Sequence, residues 1–298
     1  MSKHLEKSEN KGQLVCKICG HNSLEICDHT VKCRRCGALL FYPYLDDDAL
    51  EIDTEKVSIE KRKENWFFWY KRASKLNHKN FSSMFFFTIP EPEEFFDRKI
   101  RVLDYGGGGG QFAFVVRSML PLAEVYIVDI NDHALIEKYS PLNRQIKWKD
   151  FEGDETLFDF IFLNDVFEHV NDPEGVLKNL SKKLALGGKL FIDTPKQFWL
   201  YPVLKRINKS LYSKLLKGTV SRAHLQIWTK KSFAHVVDEA GLKLEKYEEL
   251  SEFTLKPHIY LNKMGIKNGL TLWLGNKFYE NAKLLAKNKI QALLIRKE

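Results

Sequence analysis

The chain has 298 residues, of which 44% are hydrophobic and 29% are charged, and its formal net charge is +8. This composition is that of an ordinary soluble globular protein, long enough for one large domain and a small one. No apolar run is long enough to span a membrane, and the N-terminus lacks the apolar core of a signal peptide, so a cytoplasmic protein is expected. The lysines are spread along the chain, which disfavours nucleic acid as the partner.

Four of the five cysteines form two CxxC pairs near the N-terminus, with thirteen residues between the pairs. Two such turns facing each other can direct four thiolates at one ion, in a closed tetrahedral site with no open position. Stable disulfides are disfavoured in a cytoplasmic protein, and two redox pairs are the alternative. The sequence therefore predicts a structural Zn²⁺ site in a ribbon spanning residues 1–45, with Cys27 as a spare thiol. The predicted ligands are Cys16, Cys19, Cys33 and Cys36.

Residues 46–98 are predicted to form a helical linker or lid between the ribbon and a large domain over residues 99–298. Residues 55–80 look helical and carry a group of four aromatic side chains. These either pack on the large domain or line a substrate pocket, and a helix at a membrane surface is a third alternative. The four are Trp66, Phe67, Trp69 and Tyr70.

From residue 99 onward, strands and helices alternate, which predicts parallel βα units. The predicted strands are Arg101–Tyr105, Glu124–Ile130, Gln145–Lys149, Phe158–Leu163, Lys189–Asp193, Leu244–Leu250 and Ile290–Arg296. The predicted helices are Gln111–Leu120, Asn131–Tyr139, one that begins at Asp172-Pro173 and closes at Gly187-Gly188, and residues 230–240, capped by Thr229. Two insertions are expected, near residues 195–228 and 253–287.

Five consecutive glycines, residues 106–110, follow the first predicted strand. Glycines at this turn let a ligand lie directly on the backbone, and the next helix offers free N–H groups to an anionic group. Their spacing departs from the GxGxxG pattern of a dinucleotide site, because its third glycine position is occupied by Gln111. Asp104 precedes the glycines, and Asp129 ends the second strand, where it can accept hydrogen bonds from ribose hydroxyls.

The segment Val102–Gly110 resembles the first motif of the class I S-adenosylmethionine (SAM)-dependent methyltransferases. Asn164–Pro173 looks like the motif that follows their fourth strand, with its Glu-His pair, and Leu186–Ile192 looks like their turn into strand five. His224–Thr229 resembles a segment found in the same place in many members. The resemblance implies an α/β fold with a Rossmann-like seven-stranded methyltransferase sheet, a small N-terminal zinc ribbon and helical insertions.

The N-terminal segment Cys33–Phe41, with Pro43 behind it, is similar to the zinc-ribbon start of a bacterial subgroup of this family. That subgroup often acts on sugars or other small molecules of surface polysaccharide or secondary metabolism. The resemblance thus implies a small-molecule or glycan acceptor and a place in polysaccharide biosynthesis.

The resemblance also implies SAM as the cofactor and assigns residues to it. Asp104 is expected to hold its amino group and Asp129 its ribose, while Asp150 and Phe151 flank the adenine. The expected cofactor-binding residues are Asp104, Tyr105, Gly106, Gly107, Gly108, Gly110, Gln111, Asp129, Ile130, Asp150, Phe151, Asn164 and Asp165.

Methyl transfer to a hydroxyl requires a base that removes the hydroxyl proton, and histidine is the usual base near neutral pH. His169 follows the fourth strand and His224 ends the first insertion, so these two are the candidate catalytic residues, as base or as substrate contact. Each could instead be packed or exposed without a role. Glu168 is either a metal ligand beside His169 or the partner of a lysine.

The insertion 195–228 is expected to cover the substrate, and its basic residues suit a phosphorylated acceptor or a solvated face equally. O-methylation of a sugar or surface-glycan precursor is the predicted reaction. The alternatives are C-methylation of a nucleotide sugar, an RNA-modifying methyltransferase, and a protein that binds the cofactor without chemistry. RNA-base methylation is disfavoured because Asn164–Phe167 lacks an Asn-Pro-Pro-Tyr-type motif.

Overall fold

The computed structural model describes residues 14–27, 29–45, 81–130, 144–197, 201–207, 220–221, 223–251, 269–270, 272–273, 277 and 287–297. The predicted helix Asn131–Tyr139, the aromatic segment 55–80 and most of the insertion 253–287 lie outside these residues. Within the described part of the chain, no helix combines the length and apolar character needed to cross a bilayer.

The strands and helices of the described residues alternate through the large domain. The strands are β1 (Leu24–Cys27), β2 (Thr30–Cys33), β3 (Leu39–Phe41), β4 (Arg101–Tyr105), β5 (Glu124–Asp129), β6 (Arg144–Lys147), β7 (Phe158–Asn164), β8 (Leu184–Pro195), β9 (Gln226–Ile227), β10 (Leu242–Leu250) and β11 (Lys289–Arg296). The helices are α1 (Gln111–Met119), α2 (Trp148–Phe151), α3 (Pro173–Lys182), α4 (Tyr201–Ile207) and α5 (Lys230–Glu239), with a 3₁₀ turn at Pro92–Phe95 and further helix over residues 81–88.

Seven strands form the large sheet in the order β10-β11-β8-β7-β4-β5-β6. The five strands from β8 to β6 are parallel, and β11 enters antiparallel between β8 and β10. Successive residues of β4 point to opposite faces, so Val102 packs with α1 and residues 84–89, and Leu103 packs with α3 and α5. Both residues are fully buried, which explains why the central strands are apolar throughout. The seven-stranded α/β fold expected from the sequence is thus confirmed.

Several predicted boundaries differ from the structure by one or two residues, and two regions differ by more or change type. The helix that begins after Asp172 ends at Lys182 rather than at the glycine pair, and β8 starts at Leu184. Gly187, with φ 74°, and Gly188 instead permit an irregularity inside β8, because a Cβ on Gly188 would lie 2.8 Å from the carbonyl oxygen of Phe158.

The other region is the third predicted strand, Gln145–Lys149, which ends at Lys147 in the structure. Residues 148–151 form the short helix α2 instead. The rings of Trp148 and Phe151 both pack against Tyr105, at centroid distances of 5.6 Å, and this aromatic contact holds α2 against the end of β4.

The small sheet of the ribbon includes one strand, β9, from the later part of the chain. Strands β1, β2 and β3 form an antiparallel sheet, and β3 pairs with β9 through Leu39–Ile227 and Leu40–Gln226. The hydroxyl of Thr229 donates a hydrogen bond of 2.8 Å to the carbonyl oxygen of Cys36. The ribbon is therefore attached to the segment that joins the first insertion to α5.

Candidate active site

The five glycines form a turn, residues 106–110, between β4 and α1 at the carboxyl edge of the sheet. Gly106, Gly108 and Gly110 have φ values of 73°, 51° and 76°, which L-residues with side chains rarely adopt. A Cβ on Gly106 would lie 2.4 Å from Cγ2 of Val166, whereas one on Gly108 would meet nothing within 4 Å. The turn therefore packs on the loop after β7 and leaves bare backbone facing open space.

Two carboxylates lie against this turn. Asp129, at the end of β5, accepts a hydrogen bond of 2.9 Å from the backbone N–H of Gly108. Asp104 is 2% exposed, and its Oδ2 has no hydrogen-bond partner among the described residues. Burial raises the pKa of Asp104 to about 7, opposed by a hydrogen bond from the backbone N–H of Ala113 and aided by the charge of Asp129. A buried carboxylate oxygen without a partner, beside bare backbone, fits the cationic amino end of a nucleoside cofactor such as SAM.

The other residues predicted to contact the cofactor lie around the same edge. Tyr105 is buried under Trp148 and Phe151, Ile130 is 41% exposed just after β5, and Asp150 is exposed in α2. The remaining members of the predicted set in this region are Gly107, Gln111, which begins α1, and Asn164, which ends β7.

The loop after β7 brings together three side chains that we call the His cluster: Glu168, His169 and His224. One donor atom from each lies within 4.8 Å of the others, and the two imidazole rings are 5.0 Å apart. Nδ1 of His169 contacts the carbonyl oxygen of Ala223, which makes this nitrogen the N–H donor. In the neutral ring the lone pair is then on His169 Nε2, which lies 3.8 Å from Oε1 of Glu168.

Glu168 is buried, with 1% of its surface exposed, and it is held in place by hydrogen bonds. Its Oε2 accepts a hydrogen bond of 3.0 Å from Thr194, and its backbone carbonyl accepts one of 2.8 Å from the N–H of Leu225, next to His224. Burial, and next the charge of Asp165, raises the pKa of Glu168 to about 8. The two halves of the His cluster are thus fixed to each other through the backbone.

A second buried network borders the His cluster and was missed from the sequence. Lys289, at the start of β11, contacts the carboxylates of Asp165, at 2.9 Å, and of Asp193. Gln291 donates a hydrogen bond of 2.8 Å to Asp193. Asp165 has φ 51°, a left-handed conformation that aspartate tolerates better than most residues. The available signal was the pair Lys289 and Gln291, which alternate with apolar residues at the start of β11.

The two CxxC pairs of the ribbon also converge. The Sγ atoms of Cys16 and Cys36 are 3.8 Å apart, and those of Cys19 and Cys33 are 3.6 Å apart. Two thiolates at about 2.3 Å from a tetrahedral zinc ion lie roughly 3.8 Å from each other, so the spacing fits the metal. Cys27 is outside this group.

A seven-stranded sheet with an antiparallel β11, a glycine turn after its central strand and an acid at the end of the neighbouring strand define a class I SAM-dependent methyltransferase. A model of the methyltransferase domain family matches residues 68–247, and the chain belongs to this family.

Individual relatives agree with this assignment. A ubiquinone biosynthesis O-methyltransferase of Coxiella burnetii is 26% identical over 179 residues, which are 54% of this chain and 74% of the relative. The protein of the same name from Xanthomonas oryzae pv. oryzae is 25% identical over 176 residues, 53% of this chain and 72% of the relative. The solved structure of the plantazolicin methyltransferase BpumL, in complex with a monoazolic desmethylPZN analog and SAH, has a TM-score of 0.50 at 18% identity. It covers 84% of this chain and 97% of that one, which supports the fold.

Proposed function

We propose that the enzyme transfers the methyl group of SAM to a hydroxyl oxygen of a small molecule, a sugar or surface-glycan precursor. The observation that carries this proposal is the contact between Gly106 and Val166, which places the glycine turn directly beside the loop holding the His cluster. The relatives named as O-methyltransferases of ubiquinone biosynthesis support an oxygen of a small molecule as the acceptor. The proposal that the acceptor is a sugar rests on the resemblance of the N-terminal segment Cys33–Phe41 to a bacterial subgroup of the family.

The residues of the sheet edge bind and orient SAM in this proposal. The bound sulfonium supplies an already activated methyl group. Asp104 binds the amino group, Asp129 accepts hydrogen bonds from the ribose hydroxyls, and the bare backbone at Gly108 lets the cofactor approach closely. The task of the chain is then to align the acceptor oxygen with the methyl carbon and to exclude water.

The His cluster contacts the acceptor. The lone pair on Nε2 of His169 is available to take the hydroxyl proton as the acceptor oxygen bonds to the methyl carbon and the carbon–sulfur bond breaks. His224, 5.0 Å away between ring centres, is placed to hold the same hydroxyl. These assignments of base and substrate contact are part of the proposal.

The four clustered cysteines are proposed to bind one structural Zn²⁺, since the donors are thiolates at tetrahedral spacing. Their reduced state is that expected in the cytoplasm, where we place the reaction.

The pKa of Asp104 makes cofactor binding depend on pH. Because a cationic amino group binds the ionised carboxylate better, binding must release the proton that Asp104 carries below pH 7. The affinity for S-adenosylhomocysteine (SAH) should therefore fall by up to about tenfold for each pH unit below 7. Calorimetry between pH 5.5 and 7.5 measures this, and Asp104→Asn should remove the dependence. An equally steep dependence in that variant would contradict the role of Asp104.

The proposed reaction is tested with SAM carrying a radioactive methyl group. Label should enter a pool of nucleotide sugars and not RNA, and His169→Gln should lower the rate by about 100-fold or more. His235→Gln is the matched control, because this half-exposed histidine of α5 pairs with Glu239 at 3.9 Å, outside the site. Label found in RNA alone, or full turnover in both His169→Gln and His224→Gln, would contradict the proposal.

A further inference from the structure

We infer that Glu168, His169 and His224 form a binding site for a divalent first-row transition-metal ion, through which the enzyme holds an acceptor with two neighbouring oxygens. The inference rests on the proposed function and changes how the two histidines act on the hydroxyl. It concerns the His cluster and is separate from the four cysteines of the ribbon.

The first argument is the direction of the lone pairs. Because Nδ1 of His169 faces the carbonyl oxygen of Ala223, its Nε2 has no proton to give in the neutral ring. Nε2 nevertheless lies 3.8 Å from Oε1 of Glu168, which is also an acceptor when the carboxylate is ionised. Two acceptors that face each other are stabilised by a positive charge between them, either a proton or a cation. A metal-binding histidine commonly donates its other N–H to a backbone carbonyl, as His169 does.

The second argument is the number and spacing of the donors. Two imidazoles and a carboxylate are a common ligand set for zinc, iron and manganese. The three donor atoms lie within 4.8 Å of one another. Ligands at about 2.1 Å from a tetrahedral ion lie roughly 3.4 Å apart, so the side chains must close on the ion by about 1 Å.

The third argument is the support around the donors and the opening beside them. Oε2 of Glu168 is anchored by Thr194, which leaves Oε1 toward the histidines. Gln226 donates hydrogen bonds of 2.8 Å to the carbonyl oxygens of Phe167 and Val170, on both sides of the Glu-His pair. The side chain of His169 is 40% exposed, so the site opens to solvent. Three protein ligands with open positions are typical of catalytic rather than structural metal sites.

An ion at this place accounts for both acceptor binding and proton loss. A hydroxyl bound to a divalent cation loses its proton more readily, and the proton passes to solvent. The oxygen then bonds to the methyl carbon as the carbon–sulfur bond breaks, leaving SAH. An acceptor that offers a second, adjacent oxygen fills another open position, which selects vicinal hydroxyls or a hydroxyl beside a carbonyl.

The test titrates full-length protein, loaded with one zinc per chain, with Mn²⁺ and follows the electron paramagnetic resonance signal of the free ion. Mn²⁺ is chosen because it prefers nitrogen and oxygen donors to thiolates. One Mn²⁺ should bind per chain, and His169→Gln and His224→Gln should each weaken binding by at least about tenfold. His235→Gln should bind like the unchanged protein. Both histidines of the site are partly exposed, so replacing them should leave the fold intact. Glu168 is not replaced, because it is buried.

SAH affinity is measured on the same samples. Retained SAH binding with no uptake of millimolar Mn²⁺ would overturn the metal site and leave the methyltransferase function standing. Equal Mn²⁺ binding by all three variants would overturn it as well, since the ion would then lie elsewhere. Absence of SAH binding in the unchanged protein would instead contradict the proposed function.

Discussion

Replacing Gly106 by alanine is expected to abolish SAH binding and to destabilise the fold. The added Cβ would lie 2.4 Å from Cγ2 of Val166, and the residue would have to keep φ at 73°. The left-handed backbone costs an L-residue about 1–2 kcal/mol, and overpacking adds about 1–3 kcal/mol. Relieving the clash requires Val166 to shift or the turn to move away from the loop after β7. Calorimetry with SAH and a thermal melt measure the two effects.

The control for this substitution is Gly153→Ala. Gly153 has an ordinary φ, and the nearest atom to its Cβ would be 3.9 Å away, so SAH binding should be unchanged. The double variant Gly106→Ala/Val166→Ala separates the two causes, because it removes the clash and keeps the backbone strain. Normal SAH affinity in Gly106→Ala alone would show that the turn does not contact the cofactor.

Replacing Cys36 by serine is expected to remove the zinc and to lower turnover by about 100-fold while SAH affinity changes little. Loss of the metal is expected to unfold the ribbon, because binding of a structural zinc supplies folding free energy. The change also reaches the large domain, since Cys36 is buried in the same core as Trp228 and Phe233. β9 then loses its partner β3, and Gln226 of β9 no longer fixes the loop that carries Glu168 and His169. A displacement of the reacting groups by about 1 Å is enough for a 100-fold loss.

The measurements are zinc content by mass spectrometry, turnover and SAH calorimetry on the same preparations. Cys27→Ser is the matched control, since this thiol lies outside the cysteine cluster, and it should keep one zinc and full turnover. A zinc-free Cys36→Ser protein with normal turnover would show that the ribbon does not position the His cluster.

The parts of the fold that were predicted from sequence are those fixed by local signals. Both ends of β4 were predicted, and its C-terminal end is marked by the glycines that follow the apolar run. The start of α3 was also predicted, since Asp172 caps it with a bond of 2.9 Å to the N–H of Gly175. Thr229 and Ser232 form the capping box of α5 in the same way. Such signals involve residues three or four apart and need no tertiary partner.

The parts that were missed depend on distant residues. β9 has only two residues, and its partner β3 precedes it by far in the chain, with Leu40 pairing with Gln226, so no local pattern reveals it. The contact of Lys289 with Asp165 and Asp193 joins β11 to β8 and to the loop after β7, and it has no sequence period. His169 and His224 were selected by residue type, while the carbonyl oxygen that sets the tautomer of His169 belongs to Ala223. Tertiary packing decides such buried polar contacts.

Titration of the protein with SAH in a calorimeter tests most directly whether this sheet edge binds the cofactor. One SAH should bind per chain, and Asp129→Ala should weaken it by about 10- to 100-fold, because hydrogen bonds to a charged group contribute roughly 1.5–3 kcal/mol. Asp159→Ala is the control, since this aspartate accepts the N–H of Arg101 at the opposite edge of the sheet, at 2.7 Å. An unchanged protein that takes up neither SAH nor SAM, or an Asp129→Ala variant with normal affinity, would contradict the assignment.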